Sequence, residues 1–288
     1  MEFEKKEMVK VSVIMPFFNQ SAFLEEAVQS VQKQTYKNIE LIIVNDGSTK
    51  EETETLLNKF ESNNVKVFHT ANKGVAAARN FGIAQSTGEY ILPLDADDYT
   101  HKDLIKTAVE VLDKQPNISI VRTGVQYVGE NTGTYFLPDY SRQGHLLQNL
   151  FFNTSLMRRS VMLAIGGYDE DFVDGWEDWD LFLRYVNNAS QVYSINKAYL
   201  FYRIKTSSKN ADLVHKKREK VEQQFYKKHI DLYLQYFTNP VSLLNEVQAL
   251  RIEKKNMEVV KQQIYGSMSY RLGDLILKPF KYLRKKAN

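Results

Sequence analysis

The chain has 288 residues, of which 43% are hydrophobic and 25% charged, as in an ordinary soluble protein with a sizeable core. It contains no cysteine, which excludes disulfides, thiolate metal sites and a cysteine nucleophile. The net charge is only +3, and the basic excess lies after Lys261, so no nucleic-acid partner is expected. The charged start from Met1 to Lys10 predicts no signal peptide. No apolar run approaches the ~18 residues of a membrane span.

Strand-like and helix-like segments alternate along the first part of the chain. Continuous apolar runs predict four buried strands, at Val11–Met15, Ile39–Val44, Val65–Phe68 and Tyr90–Leu94. The segments between them have the spacing or the small residues of helices. This alternation predicts an α/β fold with a doubly wound, mainly parallel, Rossmann-like sheet that binds ligands at the carboxyl ends of its strands.

Shorter and more polar segments follow, and they predict a small antiparallel extension of the sheet. The expected strands are 119–123, 126–128, 134–136, 154–157, 191–195 and 199–202, with a short helix at 144–152. The polar stretch 205–210 fits either a lid over a bound diphosphate or an ordinary flexible loop. The compact domain is expected to cover residues 1–212, and a helical C-terminal extension with a basic amphipathic end residues 213–288.

An acidic cluster follows the fourth predicted strand directly. Asp95, Asp97 and Asp98 come after Leu94, with Ala96 between the first two. In an extended chain Asp95 and Asp97 share a face, and Asp98 points to the other. Converging carboxylates favour a hard divalent cation that also takes phosphate oxygens, such as Mg²⁺ or Mn²⁺. A solvated acidic turn is the competing interpretation.

Two other strand ends carry residues suited to a nucleotide. Asp46 can accept hydrogen bonds from a base or ribose, and Gly47, which precedes Ser48, lets backbone come close. Gly74 opens a helix whose amides, together with Arg79, suit a diphosphate. Taken singly, these residues also fit a turn and a surface salt bridge. The chain has no G-x-G-x-x-G and no P-loop motif, which disfavours the corresponding nucleotide sites.

A second acidic stretch opens a helix. Apolar residues recur at three, four, seven and eight positions after Asp178, so its side chain is expected on the inward face. Asp174 and Asp180 lack this spacing, and Glu177 lies about a quarter-turn away. A carboxylate at this place is either a catalytic group or a stabiliser of the helix N-terminus.

The two tryptophans of the chain flank this carboxylate. Trp176 and Trp179 offer flat apolar surfaces that suit the faces of sugar rings, so both are candidate acceptor-binding residues. Partial desolvation by these rings raises the pKa of a neighbouring carboxylate, against the helix dipole that lowers it.

The last part of the sequence is helical and charged. Its apolar residues have a broken three-four spacing that fits a weak dimerising coiled coil or a helix packed on its own domain. They are Leu243, Val247, Leu250, Met257 and Ile264. From Tyr270 onward apolar and basic residues mix. This pattern fits an interfacial helix on an anionic membrane, or a basic solvated terminus.

Taken together, these motifs resemble glycosyltransferase family 2 of the GT-A fold, over roughly Lys10 to Arg203. Five motifs occur in the family's order. They are Val11-Ser12-Val13-Ile14-Met15-Pro16, Val44-Asn45-Asp46-Gly47-Ser48, Asn72-Lys73-Gly74 with Ala78-Arg79-Asn80, Leu94-Asp95-Ala96-Asp97-Asp98, and Glu177-Asp178.

The resemblance implies roles for individual residues. Asp46 is expected to hold the base of a nucleoside-diphosphate sugar, and Asp95 and Asp97 to form the D-x-D motif, with Asp97 as the direct metal ligand. Asp178 is the expected catalytic base, with Glu177 as the runner-up. The expected nucleotide-sugar-binding residues are Pro16, Phe17, Asn19, Asp46, Gly47, Ser48, Gly74, Arg79, Asp95, Ala96, Asp97 and Arg203.

The resemblance also implies an activity. It is an inverting transfer from a nucleoside-diphosphate sugar, with a UDP-sugar favoured, to a hydroxyl of a glycan or lipid-linked acceptor, supported by Mn²⁺ or Mg²⁺. The tail more loosely resembles those of bacterial enzymes of surface-polysaccharide synthesis, which implies a cytoplasmic protein on the inner face of the membrane. Two alternatives stay open: a non-catalytic nucleotide-sugar-binding or assembly protein, and a nucleotidyltransferase. The latter is expected to have a Gly-rich basic loop where this chain has residues 16–20.

Overall fold

The computed structural model describes residues 8–50, 52–187, 191–205, 215–237, 239–270, 272–273 and 277. The strands are β1 (Val11–Phe17), β2 (Ile39–Asp46), β3 (Val65–Thr70), β4 (Tyr90–Pro93), β5 (Tyr99–Thr100), β6 (Ile118–Gly129), β7 (Gly133–Tyr135), β8 (Leu156–Arg158) and β9 (Gln191–Ile204). The helices are α1 (Ser21–Gln32), α2 (Glu52–Asn58), α3 (Val75–Gln85), α4 (Leu104–Lys114), α5 (Arg142–Leu147), α6 (Arg159–Ala164), α7 (Glu177–Tyr185), α8 (His215–Lys228), α9 (Ile230–Tyr236) and α10 (Pro240–Gly266).

The strands form one mixed sheet in the order β3-β2-β1-β4-β8-β6-β9-β5, with β7 beside β6. β3, β2, β1 and β4 are parallel, as the alternation of strands and helices predicts. β8 runs antiparallel to both β4 and β6, whereas β6 and β9 run parallel to each other. The prediction of a doubly wound α/β fold with an antiparallel extension is confirmed.

The second half of the sheet is built from longer strands than the sequence suggested. β6 covers both segments expected at 119–123 and 126–128, and β9 joins the two expected closing strands. Pairing continues because the register shifts near Thr123 and Gly124 absorb the irregular residues without ending the ladder. The helix expected at 144–152 is shorter, because α5 ends at Leu147.

Alternate residues of β1 supply the two cores of the sheet. Val13 and Met15 pack in a cluster with residues of α1 and α4 on one face. Ile14 packs in the other cluster, with residues of α3 and α7. Since period-two alternation sends neighbouring side chains to opposite faces, one continuous apolar strand anchors helices on both sides.

The chain divides into two units, Met1–Lys228 and His229–Asn288. The boundary therefore lies after α8, whereas the sequence suggested a boundary near Asp212. The reason is that Phe225 of α8 is buried and its ring contacts Trp176, while Lys228 lies 2.7 Å from a carboxylate oxygen of Asp180. α8 thus completes the first unit.

The second unit contains α9 and α10. Leu243, Val247, Leu250, Met257 and Ile264, the residues with the broken three-four spacing, are all exposed. Most of the basic segment after Tyr270 lies outside the described residues. No helix in the described part of the chain is both long enough and apolar enough to cross a bilayer.

Candidate active site

A buried arginine connects the end of β4 to the start of α7. Arg79 lies on α3 and is only 3% exposed. Its guanidinium donates to Asp95 Oδ1 at 2.6 Å and to Glu177 Oε1 at 2.8 Å. It also lies over the ring of Tyr168, 5.2 Å from the centroid. Arg79 was expected to face a diphosphate, but here it is the shared partner of two carboxylates, and its contact with a donor stays a prediction.

The acidic cluster forms a turn and not an extended segment, because β4 ends at Pro93 and the amide of Asp98 donates to the carbonyl of Asp95 at 3.1 Å. The alternation argument, which placed Asp95 and Asp97 on one face of an extended segment, is therefore wrong, and the two carboxylates contact different cations, Arg79 and Lys205. Ala96 and Asp98 are buried. Burial, and then the charges of Asp97 and Asp95, raise the pKa of Asp98 well above its usual range.

Two cations from the end of β9 contact this turn. Arg203 donates its amide to Asp98 Oδ1 at 2.8 Å and its Nε to the carbonyl of Asp97 at 3.0 Å. The ammonium of Lys205 lies 2.5 Å from Asp97 Oδ2. Arg203 was expected near the diphosphate, and it does lie beside the acidic turn, where it fixes the turn's conformation.

The oxygen donors of this turn fit a divalent cation only in part. Asp95 and Asp97 have side chains that are 33% and 22% exposed, and carboxylates are the hard ligands that Mg²⁺ and Mn²⁺ prefer. No group of three or more His, Cys, Asp or Glu side chains within the described residues is arranged to hold a metal. A cation here fits the arrangement in which one or two carboxylates bind it and substrate phosphates complete the shell.

The end of β2 is tied to the start of α3. Asp46 is buried, and its two oxygens accept hydrogen bonds from the amides of Lys73 and Gly74, each at 2.9 Å. Gly47 has φ of +69°, and a Cβ there would lie 2.7 Å from the amide nitrogen of Asn72, so only glycine fits. In the structure this carboxylate bridges two backbone segments of the same edge, and the base-binding role that the sequence predicted for Asp46 stays a prediction.

The loop after β1 is joined to the loop after β2. Pro16 and Phe17 are buried within β1, and the Phe17 ring belongs to the core; their donor-binding role stays a prediction. The amide of Asn19 donates to Ser48 Oγ at 3.0 Å. Asn19 Oδ1 in turn accepts a bond from the amide of Thr49 at 3.0 Å. The predicted donor-binding residues of both loops thus form one continuous rim.

Asp178 lies in the first turn of α7 and is half-buried. Its Oδ1 accepts a hydrogen bond from the amide of Trp179 at 2.7 Å, and its Oδ2 accepts one from Asn149 Nδ2 at 3.0 Å. Burial, and then the neighbouring charge of Glu177, raise the pKa of Asp178 to about 7, against the opposing effect of Arg79. A carboxylate with that pKa is suited to take up a proton near neutral pH.

Asp180 occupies a different place from the one its spacing suggested. It is fully buried, and it pairs with Arg184 on its own helix at 2.7 Å and with Lys228 of α8 at 2.7 Å. The spacing of apolar residues along α7 did not place Asp180 on the inward face, because that spacing describes α7 alone. The second helix α8 covers the face that the spacing assigned to solvent.

The two tryptophans form an aromatic wall beside Asp178. The ring centroids of Trp176 and Trp179 are 4.8 Å apart, and Phe225 lies 5.2 Å from the first and 4.6 Å from the second. Trp179 Nε1 donates to the carbonyl of His145 at 2.8 Å. Both tryptophans are half-buried, so each keeps some open surface. Their acceptor-binding role stays a prediction.

Sequence reasoning missed three residues of this site. Asn149, which donates to Asp178, stands in a loop without a recognisable motif, and nothing in the sequence distinguished it. Lys205 was visible only as part of a polar stretch. Tyr202, in β9, faces the acidic turn. The pKa of the Tyr202 hydroxyl is raised mainly by burial and then by the charges of the three Asp residues of that turn.

Solved structures with the same fold hold nucleotide sugars. Staphylococcus aureus TarS 1–349 in complex with UDP-GlcNAc superposes with a TM-score of 0.61 at 22% identity, over 81% of this chain and 75% of that one. The mannosyltransferase PcManGT from Pyrobaculum calidifontis, in complex with GDP-Man and Mn²⁺, superposes with a TM-score of 0.62 at 17% identity, over 93% of this chain and 83% of that one. At these identities the likeness shows the GT-A fold alone.

Sequence relatives are named glycosyltransferases. An uncharacterized glycosyltransferase of Rickettsia typhi is 32% identical over 64% of this chain and 60% of its own length. GlyG of Streptococcus pneumoniae is 36% identical over 44% of this chain and 42% of its own length. The match thus covers only part of these relatives. The family model described as Glycosyl transferase family 2 matches residues 12–166, which is more than half of the chain. The chain therefore belongs to glycosyltransferase family 2.

Proposed function

We propose that this chain is an inverting glycosyltransferase that moves a sugar from a nucleoside-diphosphate sugar to an acceptor hydroxyl. The observation that carries the proposal is the position of Asp178, whose pKa is raised to about 7. It stands directly next to Glu177, which Arg79 connects to Asp95 at the end of β4. A base and the acidic turn therefore flank one edge of the sheet, where ligands of such folds bind.

Asp178 performs the proton transfer in this proposal. Its carboxylate takes the proton of the acceptor hydroxyl as that oxygen attacks the anomeric carbon. The new carbon–oxygen bond forms on the face opposite the nucleotide, and the bond to the diphosphate breaks, so the anomeric configuration inverts. Asn149 holds one carboxylate oxygen and the Trp179 amide the other, which orients the base toward the acceptor.

The donor is proposed to lie along the carboxyl ends of β1, β2 and β4. The amides of Lys73 and Gly74 already donate to Asp46, so it is the amides of the first turn of α3, which begins at Val75, that suit the diphosphate. Asp97 would hold a divalent cation, with Asp95 beside it, and such an ion neutralises charge on a departing diphosphate. We favour a UDP-sugar as donor and Mn²⁺ or Mg²⁺ as the ion. The neighbour solved with UDP-GlcNAc supports the UDP-sugar, and the neighbour solved with GDP-Man and Mn²⁺ supports the ion.

The acceptor is proposed to be a glycan or a lipid-linked sugar used in cell-surface polysaccharide synthesis. The aromatic wall of Trp176 and Trp179 supports a sugar-bearing acceptor because flat rings cover sugar faces. We further propose that the protein works in the cytoplasm on the inner face of the membrane, where its basic end binds anionic lipid. The exposed apolar residues of α10 support a homodimer formed through that helix.

A ligand panel with the full chain tests this function. Thermal unfolding is followed with UDP- and GDP-sugars, each with and without Mn²⁺, and with the Asp97→Asn variant. One nucleotide sugar is expected to raise the midpoint selectively, and only with the ion, because a ligand that binds the folded state stabilises it by mass action. Absence of any shift throughout the panel overturns the function. Undiminished transfer in excess chelator overturns only the role of the metal.

A further inference from the structure

Lys205 forms an ion pair with Asp97, the carboxylate that is proposed to bind the metal. The ammonium of Lys205 lies 2.5 Å from Asp97 Oδ2, and the two side chains are 21% and 22% exposed. The same ammonium lies over the ring of Phe23, 4.7 Å from its centroid. Lys205 directly follows β9, so a long strand of the sheet carries this cation to the acidic turn.

The other carboxylates of the turn have partners of their own. Asp95 is held by Arg79 at 2.6 Å, and Asp98 is buried and accepts the amide of Arg203 at 2.8 Å. Asp97 differs from these two carboxylates because its partner is the ammonium of a long, partly exposed lysine side chain. A lysine ammonium and a divalent cation both require the same carboxylate oxygens, and close approach of one repels the other.

We propose that Lys205 competes with the divalent cation for Asp97. In the chain without ligand the ammonium neutralises Asp97 and weakens the binding of the ion. A donor diphosphate offers the displaced ammonium new oxygen partners, so nucleotide and metal are expected to bind cooperatively. By linkage, each then raises the affinity of the other by the same factor. This inference rests on the proposed function, since it assumes that Asp97 binds the ion.

The experiment measures Mn²⁺ affinity directly, by the loss of the free-ion electron paramagnetic resonance signal, on the full chain without nucleotide. Lys205→Met is expected to tighten Mn²⁺ binding about threefold or more, the range of a partly exposed ion pair. In the Asp97→Asn background the same substitution is expected to have no effect, because the shared carboxylate is gone. Lys66→Met is the matched control. It removes one positive charge paired with Glu40, near the amino ends of β2 and β3.

The outcomes separate the competition from the function on which it rests. Unchanged or weaker Mn²⁺ binding by Lys205→Met, or no binding by either form, overturns the competition. Equal tightening in the Asp97→Asn background, or by Lys66→Met, also overturns it, since the effect is then one of net charge. Mn²⁺ binding that Asp97→Asn leaves unchanged in the otherwise natural chain refutes the metal site itself. Failure of the glycosyltransferase function is seen separately, as the absence of any nucleotide-sugar shift in thermal unfolding.

The cooperativity has its own measurement. Adding UDP is expected to tighten Mn²⁺ binding in the natural chain by a larger factor than in Lys205→Met, where no ammonium has to be displaced. An equal factor in the two proteins contradicts the idea that the nucleotide relieves this competition.

Discussion

Arg79 and Glu177 are 98 positions apart in the sequence, yet their side chains are joined by an ion pair of 2.8 Å. Because the other Nη of the same guanidinium donates to Asp95, the D-x-D turn and the start of α7 are held at a fixed separation. The residue after Glu177 is the proposed base. One buried cation thus sets the geometry between the acidic turn, where the donor is proposed to bind, and the start of α7, where the acceptor is proposed to react.

Replacing this cation is expected to be costly. Arg79→Met leaves two carboxylates without their partner, and breaking a buried pair destabilises by about 3–5 kcal/mol. The free energy of unfolding, measured in urea, checks this. Arg218→Met is the control, since its pair with Glu222 is exposed and such pairs contribute about 1 kcal/mol at most. Stability equal to that of the unmodified chain after Arg79→Met contradicts the network described here.

Removing the proposed base is expected to separate chemistry from binding. Asp178→Asn keeps the size of the side chain and an oxygen that accepts one of the two hydrogen bonds, but its NH₂ group cannot accept the other. Because no basic oxygen remains, transfer should fall by at least ~10²-fold. Donor affinity, titrated on the same preparation, should change little. Asp174→Asn serves as the control, because Asp174 pairs with Lys217 on the surface. Normal transfer by Asp178→Asn together with an inactive Glu177→Gln assigns the proton to Glu177.

The raised pKa of Asp178 has two consequences for pH dependence. Transfer should rise with pH and level off above about 7, where the carboxylate is ionised. Ionisation is harder in the folded chain than in the unfolded one, so this group's contribution to stability falls as pH rises from about 4 to about 7. The stability of the natural chain relative to Asp178→Asn should therefore fall by at least ~1.4 kcal/mol, the energy of one pKa unit, between pH 4 and pH 8. Urea unfolding of both proteins at the two pH values measures this difference.

Asn149 is expected to act on transfer through Asp178. Its amide donates to Asp178 Oδ2, and its own Oδ1 accepts the amide of Phe151 at 3.1 Å, which fixes the orientation of the side chain. Asn149→Ala removes a hydrogen bond that favours the charged carboxylate, so the pKa of Asp178 should rise further. The pH profile of transfer should shift upward together with a lower maximal rate. A lower rate with an unmoved profile indicates a structural role only.

Helix α8 is expected to be essential to the first unit. Phe225→Ala should destabilise the chain by about 3–5 kcal/mol, because the ring fills the space between the tryptophans and Phe172. The adjacent Tyr226→Ala, at an exposed position, should cost less than ~1 kcal/mol. Urea unfolding compares the two. Equal effects contradict the assignment of α8 to this unit.

The tail prediction concerns lipid. Binding of the full chain to anionic vesicles should weaken as salt rises, since screening shortens the reach of surface charge. A chain that ends near Ile264 should lose this binding in a sedimentation assay. Equal sedimentation of the two forms places the attachment elsewhere, or indicates that it is absent.

The parallel half of the fold could be predicted from the sequence because continuous apolar strands and intervening helices leave a strong pattern. The sequence analysis divided β6 at Gly124 and β9 at the polar pair Asn196-Lys197, because such residues resemble turns, although pairing across the sheet overrides that local signal. That Asp46 and the acidic turn lie at the same edge followed from topology, since parallel strands present their carboxyl ends together. The place of Asp178, on a helix, did not follow from that rule and came from the resemblance.

The partners within that edge could not be predicted. The sequence around Arg79 does not show whether its guanidinium binds a diphosphate or is the buried partner of two carboxylates. Asp180 was excluded as a site residue because one helix was considered by itself, whereas α8, which covers it, is separated from α7 in the sequence by the whole of β9. Asn149 reaches Asp178 from an irregular loop. The partners of these three residues come from segments that are distant in the sequence, and local residue spacing carries no information on such contacts.

The two tryptophans of the chain, Trp176 and Trp179, lie 4.8 Å apart within a single cluster beside the proposed base. All indole fluorescence of the protein therefore originates at one place. Its emission maximum and quenching report, without any label, on the surface where the acceptor is proposed to bind. An acceptor that covers these rings should shift the emission to shorter wavelength, while a donor bound at the acidic turn should leave it nearly unchanged. The protein thus carries a natural optical probe that can distinguish the two substrates.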